Sequence, residues 1–383
     1  MKIIIAPDSF KSCLRSQEVV EALSSGLRQT LPDARIVAMP LADGGEGTVE
    51  ALVLAAGGEY REVEACGPLG ERVLAHYGLI DQHKTAIIEM AAASGIELVP
   101  VNQLNPLQAT TWGTGELIAD ALNLGVTKII LGIGGSATCD GGAGMIQALG
   151  VRFRDRRGIE IAGPACGGML DRIAAIELPP QLPPPGVEIC VACDVTNPLL
   201  GANGCARVYG PQKGANAAMV AMLERNLSHW ANILNKAGLS VSCEEPGDGA
   251  AGGLGFGLRT VMKAKMSSGA ALVIDAAGLE NHLADADLVI TGEGCTDGQT
   301  LSGKLCSCVA DTAAKYRVPT IVVSGALKGD RNALLQKFAA AFSITPGPCR
   351  LEDAIADARR NLSDTAAALG GMLAMRSRCA NDR

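Results

Sequence analysis

The residues of this chain best suited to chemistry are acidic and lie in short loops. "APDSFKS" carries Asp8 and Lys11, "LADGGEGT" carries Asp43, "DVTNP" carries Asp194 and "GEGCTDGQ" carries Glu293 and Asp297. Any one Asp has an ordinary explanation as a helix cap or turn former. Asp8 resists it, because Ser16 is itself a good cap for the helix that follows, and Asp43 and Asp194 come several residues before any convincing helix. Carboxylates gathered at one place repel one another unless a cation sits among them. That chemistry points to Mg²⁺.

A second group of loops is rich in glycine. In "LGIGGSATCDGGAGMIQALG", Gly134, Gly135 and Ser136 follow an apolar run, and Gly141 and Gly142 precede a helical pattern. Unpaired amides at such a turn make a seat for phosphate, and close packing of loop on sheet explains the glycines equally well. Asp140 is expected to cap the helix starting at Ala143. Gly292 and Gly294 of "GEG" are further candidates for the same phosphate-binding role. "GQTLSGKL" has P-loop spacing but carries Leu305 where a Mg²⁺-binding Ser or Thr belongs, so it is not a Walker motif; Lys304 is kept as a phosphate contact. Lys213, in "GPQKGA", is either a second phosphate contact or an ordinary surface lysine. The first strand runs into Pro7-Asp8 and not a Gly-x-Gly-x-x-Gly turn, which removes the main support for a dehydrogenase. No Gly-x-Ser-x-Gly elbow occurs, and none of the four histidines lies in these loops. Carboxylates, lysines and glycine loops are the parts that phosphoryl transfer needs, with an Asp as base toward a substrate hydroxyl.

The elements that position these loops alternate between short β-branched runs and helical patterns, the signature of an α/β fold with a mainly parallel sheet. Strands are predicted at Lys2–Ile5, Arg35–Met39, Thr85–Glu89, Lys128–Ile133, Glu188–Cys193, Ala271–Ile274, Asp287–Thr291 and Thr320–Ser324. Helices are predicted at Gln17–Thr30, Glu116–Asn123, Ala143–Leu149, Ala217–Ala237, Leu305–Tyr316 and Leu351–Leu369. Ligands collect at the carboxyl ends of parallel strands, where the loops above lie. The 383 residues, 48% of them hydrophobic, suit two or three domains. The expected division is a discontinuous Rossmann-like α/β domain, 1–62 plus 286–383, around an inserted glycine-rich α/β domain, 63–285. A net charge of −7 and only 3% aromatics argue against nucleic acid and membrane as partners, and a homodimer is compatible with the same composition. Thirteen cysteines, many in apolar surroundings, suit reduced thiols and a cytoplasmic location.

Taken in order, "IAPDSFK", "LADGGEGT", "EMAAASG", "GTGELI", "GIGGSAT", "VACDVTNPLLG", "GPQKGA", "AAGGLG" and "GEG-TDGQT" resemble the bacterial glycerate kinases of type 1 over nearly the whole chain. The resemblance implies two α/β domains around a cleft, ATP and Mg²⁺ as cofactors, and phosphorylation of D-glycerate to 2-phosphoglycerate; carried over by position, it implies Asp8, Lys11, Asp43, Asp194 and Asp297 as catalytic cleft residues, with Asp194 and Asp297 as the leading metal ligands or base. The chain departs from the family pattern at Cys139, where Asn is usual, and at Cys295, where an Arg is common. If that Arg touches phosphate, a positive contact is lost here. The alternative is a non-catalytic sensor closing on a sugar acid or nucleotide, which has little need for so many loop carboxylates.

Overall fold

The computed structural model describes residues 1–10, 13–43, 45 and 47–381. Lys11, with Gly44 and Glu46, therefore lies outside the described residues. Contacts divide the chain into two units: Met1–Asp43, Glu50–Gly57 and Ala270–Arg383 form one, and Gly44–Val49 with Gly58–Gly269 the other. The main boundaries fall at Gly57/Gly58 and Gly269/Ala270, where the sequence suggested 62/63 and 285/286.

The first unit is built on a five-stranded sheet, parallel at every pairing, in the order Ala340–Ser343, Thr320–Ser324, Leu288–Thr291, Lys2–Ile5, Arg35–Ala38. Its central strands read "KIII", "LVIT" and "TIVVS" and are buried throughout, as expected of a parallel sheet covered on both faces. Over one face, Val19, Leu23 and Leu27 of the Ser16–Thr30 helix pack with Leu362, Ala366 and Leu369 of the Ala358–Asn381 helix. Over the other, Cys306 and Ala310 of the Leu305–Lys315 helix pack with Val322, Leu334 and Phe338. The predicted helix Leu351–Leu369 is two helices, Leu351–Ala356 and Ala358–Asn381.

The second unit holds a six-stranded mixed sheet ordered Lys265–Ser267, Glu188–Ala192, Lys128–Gly132, Thr85–Glu89, Arg72–Ile80, Glu59–Cys66; the first four strands are parallel and the last two antiparallel. The Glu59–Cys66 strand escapes sequence reading because "EYREVEAC" is largely exposed and lacks an apolar alternation. The predicted strand Ala271–Ile274 is corrected: these residues lie in the Gly269–Ala276 helix. A four-residue apolar run suits a buried strand and a buried helix turn alike, and here Leu272, Val273 and Ile274 are buried from a helix. The strand beside it is Lys265–Ser267. Among the described residues no helix is long and apolar enough to cross a membrane.

Candidate functional site

In the first unit, four strand ends converge on one cavity of about 620 Å³. Pro7 stops the first strand, and Asp8 follows it with its amide held by the Gly292 carbonyl at 2.8 Å. The exit of the neighbouring strand is tied down by the Leu41 amide on the Pro7 carbonyl, 3.1 Å, and leads to Asp43. Beyond Leu288–Thr291 come Glu293, Gly294 and Asp297; beyond Thr320–Ser324 come Gly325 and Lys328. Asp8, Asp43, Glu293, Gly294, Asp297, Lys304 and Lys328 all line the cavity. Its remaining wall is mainly apolar, with Phe10, Ile344, Leu351 and Ile355 beside the hydroxyl residues Ser9 and Thr345.

The acidic side chains are held by their own loops. Glu293 Oε1 accepts from the hydroxyls of Thr296 (3.0 Å) and Thr300 (2.6 Å). Asp297 Oδ1 accepts from the Gln299 amide at 2.8 Å, closing a turn. Asp8 Oδ1 accepts from the Ser9 amide at 2.7 Å. Lys304 is exposed and stands at the N-cap of Leu305–Lys315, after Gly303 at φ +92°, so a lysine and a helix N-terminus meet at one wall. Such a wall favours an anion. Cys306, behind it, is fully buried, and burial followed by the Glu293 charge pushes its thiol well up, so it stays neutral. Cys295 lines the cavity where the resemblance implies a common Arg, which leaves Lys304 and Lys328 as its described cations.

Among the predicted residues, Asp8, Asp43, Asp297, Gly294 and Lys304 thus share one cavity, while Asp194, Gly134, Gly135, Ser136 and Lys213 belong to the second unit. Gly292 serves packing: a Cβ there would meet the Val323 carbonyl oxygen at 2.1 Å. Lys328 escaped the sequence reading. The strand before it was recognised, and applying the strand-end rule to "GALKGD" would have found it.

In the second unit Asp194 is exposed after the Glu188–Ala192 strand, and its Oδ1 accepts from the Gly269 amide at 3.1 Å. The loop after the adjacent Lys128–Gly132 strand leaves Gly134 and Gly135 exposed. Lys213 is no surface lysine. It is buried, donating to Ser136 Oγ at 2.6 Å and the Thr138 carbonyl at 2.7 Å.

The expectation for Gly141 and Gly142 is corrected, since their amides are spent inside the protein. Gly141 N–H donates to the Gly252 carbonyl (3.1 Å) and Gly142 N–H to Asp140 Oδ1 (3.0 Å). Asp140 carries the capping role. Its carboxylate also accepts from the Thr111 amide and hydroxyl, both at 2.8 Å, and from the Gly144 amide at 3.2 Å. Burial pushes the Asp140 carboxyl up, and the donors of Thr111, Gly142 and Gly144 pull it back. Asp140→Asn puts an amide group against these donors and is expected to destabilise the chain by about 2 kcal/mol, read as a lower urea midpoint. An unchanged midpoint would show that the four donors do not depend on the charge.

Comparison with known proteins agrees with this architecture. Residues 3–374 match the glycerate kinase family. The chain is 50% identical over 370 residues, 96% of each chain, to a protein of Bacillus subtilis (strain 168) named glycerate kinase. It is 47% identical over 380 residues, 98% of each, to the glycerate 2-kinase of Escherichia coli (strain K12). Its fold superposes with a TM-score of 0.88, at 47% identity and 99% coverage of both chains, on a crystal structure from Salmonella typhimurium LT2 whose glycerate kinase 2 assignment is provisional. The chain belongs to the glycerate kinase family.

Proposed function

We propose that this chain transfers the γ-phosphoryl group of ATP to the 2-hydroxyl of D-glycerate, giving 2-phosphoglycerate and ADP. The observation that carries the reading is the meeting of Asp8, Asp43, Glu293 and Asp297 with Lys304 and Lys328 around one cavity at the carboxyl ends of parallel strands. In the reaction the substrate oxygen bonds to phosphorus as the bond to the β-phosphate oxygen breaks, and a carboxylate takes the hydroxyl proton. In this cavity Asp297 is the leading choice for base or metal ligand, with Asp8 and Asp43 beside the reacting groups; Asp194, in the second unit, is kept as a separate choice for either role. Lys304 and Lys328 supply the positive charge that phosphate oxygens need.

The side chains present suit Mg²⁺, a hard cation that takes oxygen ligands. Among the described residues no three carboxylate, histidine or cysteine groups are gathered as a ready cage. Asp297 of the first unit's cavity would hold the ion, whose chemistry is neutralisation of charge on the phosphates.

The test is direct. Protein, ATP, Mg²⁺ and D-glycerate are expected to yield 2-phosphoglycerate, identified by phosphorus NMR. Appearance of 3-phosphoglycerate would overturn the regiochemistry; ligand-induced thermal stabilisation without any phosphate transfer would favour the sensor. Lys304→Ala and Lys328→Ala are each expected to raise the KM for ATP about tenfold, the worth of one charge-assisted hydrogen bond, with the KM for glycerate little changed. An unmoved ATP KM in both variants would remove the two lysines from the nucleotide.

A further inference from the structure

Among the described residues, one buried cation of the second unit, Lys213, has no carboxylate in an ion pair with it. Lys213 is 2% exposed, and among the described residues its only partners are a hydroxyl and a carbonyl, Ser136 Oγ and Thr138 O. An ammonium taken out of water in this way is unfavourable unless an anion offsets it. The thiols of Cys139 and Cys205, which feel its charge, do not serve, because each is fully buried and held neutral by that burial.

The groups in front of the lysine are donors. Gly134 and Gly135 are exposed, Gly135 adopts φ +69°, and among the described residues the amides of Gly134, Gly135 and Ser136 donate to no acceptor. The loop is nonetheless fixed along its other edge, where Ile96 donates to the Gly135 carbonyl at 2.8 Å and Ala137 to the Ser94 carbonyl at 3.0 Å. Ser136 Oγ accepts the lysine proton, so its own proton is left for a further acceptor. Thr138 Oγ1, on the same loop, is fully buried and has no hydrogen-bond partner among the described residues.

We infer that Lys213 is the positioning residue of an oxyanion seat formed by the Gly134, Gly135 and Ser136 amides and the Ser136 hydroxyl. The seat takes one anionic oxygen group of the reactants, a carboxylate or a phosphoryl group, and the lysine acts on it through Ser136. Which reactant supplies the group rests on the function proposed above; the seat itself rests on the burial and the open donors.

The test compares the full-length chain with Lys213→Met, Lys213→Arg and Ser136→Ala, each first checked for wild-type melting. Affinity is measured by calorimetry for two pairs that differ in charge: D-glycerate against its neutral amide, and MgATP against adenosine. Lys213→Met is expected to shrink the preference for the charged member of one pair by about tenfold or more, with partial return in Lys213→Arg. Loss in the glycerate pair identifies a carboxylate in the seat, and loss in the nucleotide pair a phosphate. A folding defect alone would not lower affinity for one charged ligand and spare its neutral analogue. Both preferences intact in Lys213→Met and Ser136→Ala would overturn the seat; if the methionine variant fails to fold, Ser136→Ala decides alone. If the wild type phosphorylates no glycerate, inorganic phosphate replaces the two pairs as the probe. Weaker phosphate binding in Ser136→Ala would then keep the seat while the kinase reading falls, and equal or absent binding would end it.

Discussion

Asp194→Asn is expected to lower D-glycerate turnover by about 10²–10⁴-fold, the usual worth of a positioned acid or base, while the melting temperature stays at the wild-type value. The two halves of this expectation have separate grounds. Asp194 is exposed, and the bond its Oδ1 accepts from the Gly269 amide is one that an asparagine oxygen also accepts, so this tie to the fold survives the substitution. What the substitution removes is the negative charge and the basicity, at the mouth of a parallel strand. Activity within a factor of two or three of wild type would take Asp194 out of the mechanism and leave Asp8, Asp43 and Asp297 as the choices for base.

Gly252→Ala is expected to destabilise the chain by roughly 3–4 kcal/mol, read from the urea midpoint with the slope unchanged. Ala251, Gly252 and Gly253 are consecutively left-handed, with φ of 52°, 67° and 89°. A Cβ on Gly252 would lie 1.9 Å from the Thr138 carbonyl oxygen and 2.7 Å from the Cys139 Cα, both backbone atoms with no flexible end to give way. That carbonyl is one of the two acceptors of Lys213, so the strain is delivered to the same loop as the lysine. A midpoint near wild type would mean that the loop can move aside as a body, and would weaken the view that it is rigidly placed.

How much of this could be read from sequence depended on whether a signal was local. Lys2–Ile5, Thr85–Glu89 and Thr320–Ser324 are found at the expected bounds because a β-branched run between turn residues is a local pattern. Asp8, Asp43 and Asp297 were picked out by the strand-end rule, and the parallel order of their strands brings them to one cavity. What failed was the assignment of purpose to glycines. Gly134 and Gly142 look alike in "GGSATCDGG", yet Gly134 is exposed while the Gly142 amide is turned onto Asp140. The difference is decided by Thr111, Trp230 and Gly252, all distant along the chain; a Cβ on the neighbouring Gly141 would meet Trp230 at 2.7 Å. Lys213 was legible as a loop lysine and illegible as a buried one, because burial depends on what packs over it.

The strand Lys2–Ile5 is hydrogen-bonded between Arg35–Ala38 and Leu288–Thr291. On the ribosome its two neighbours therefore emerge at very different times. One flank is available almost at once, while the other waits for synthesis of the whole Gly58–Gly269 stretch, which is continuous in the chain and has a core of its own. At about 5–20 residues per second that wait lasts on the order of ten seconds or more, with "KIIIA" held as an unfinished sheet edge. A strand made before both of its neighbours is thus among the last to be completed, and it is there that a nascent chain would call on a chaperone.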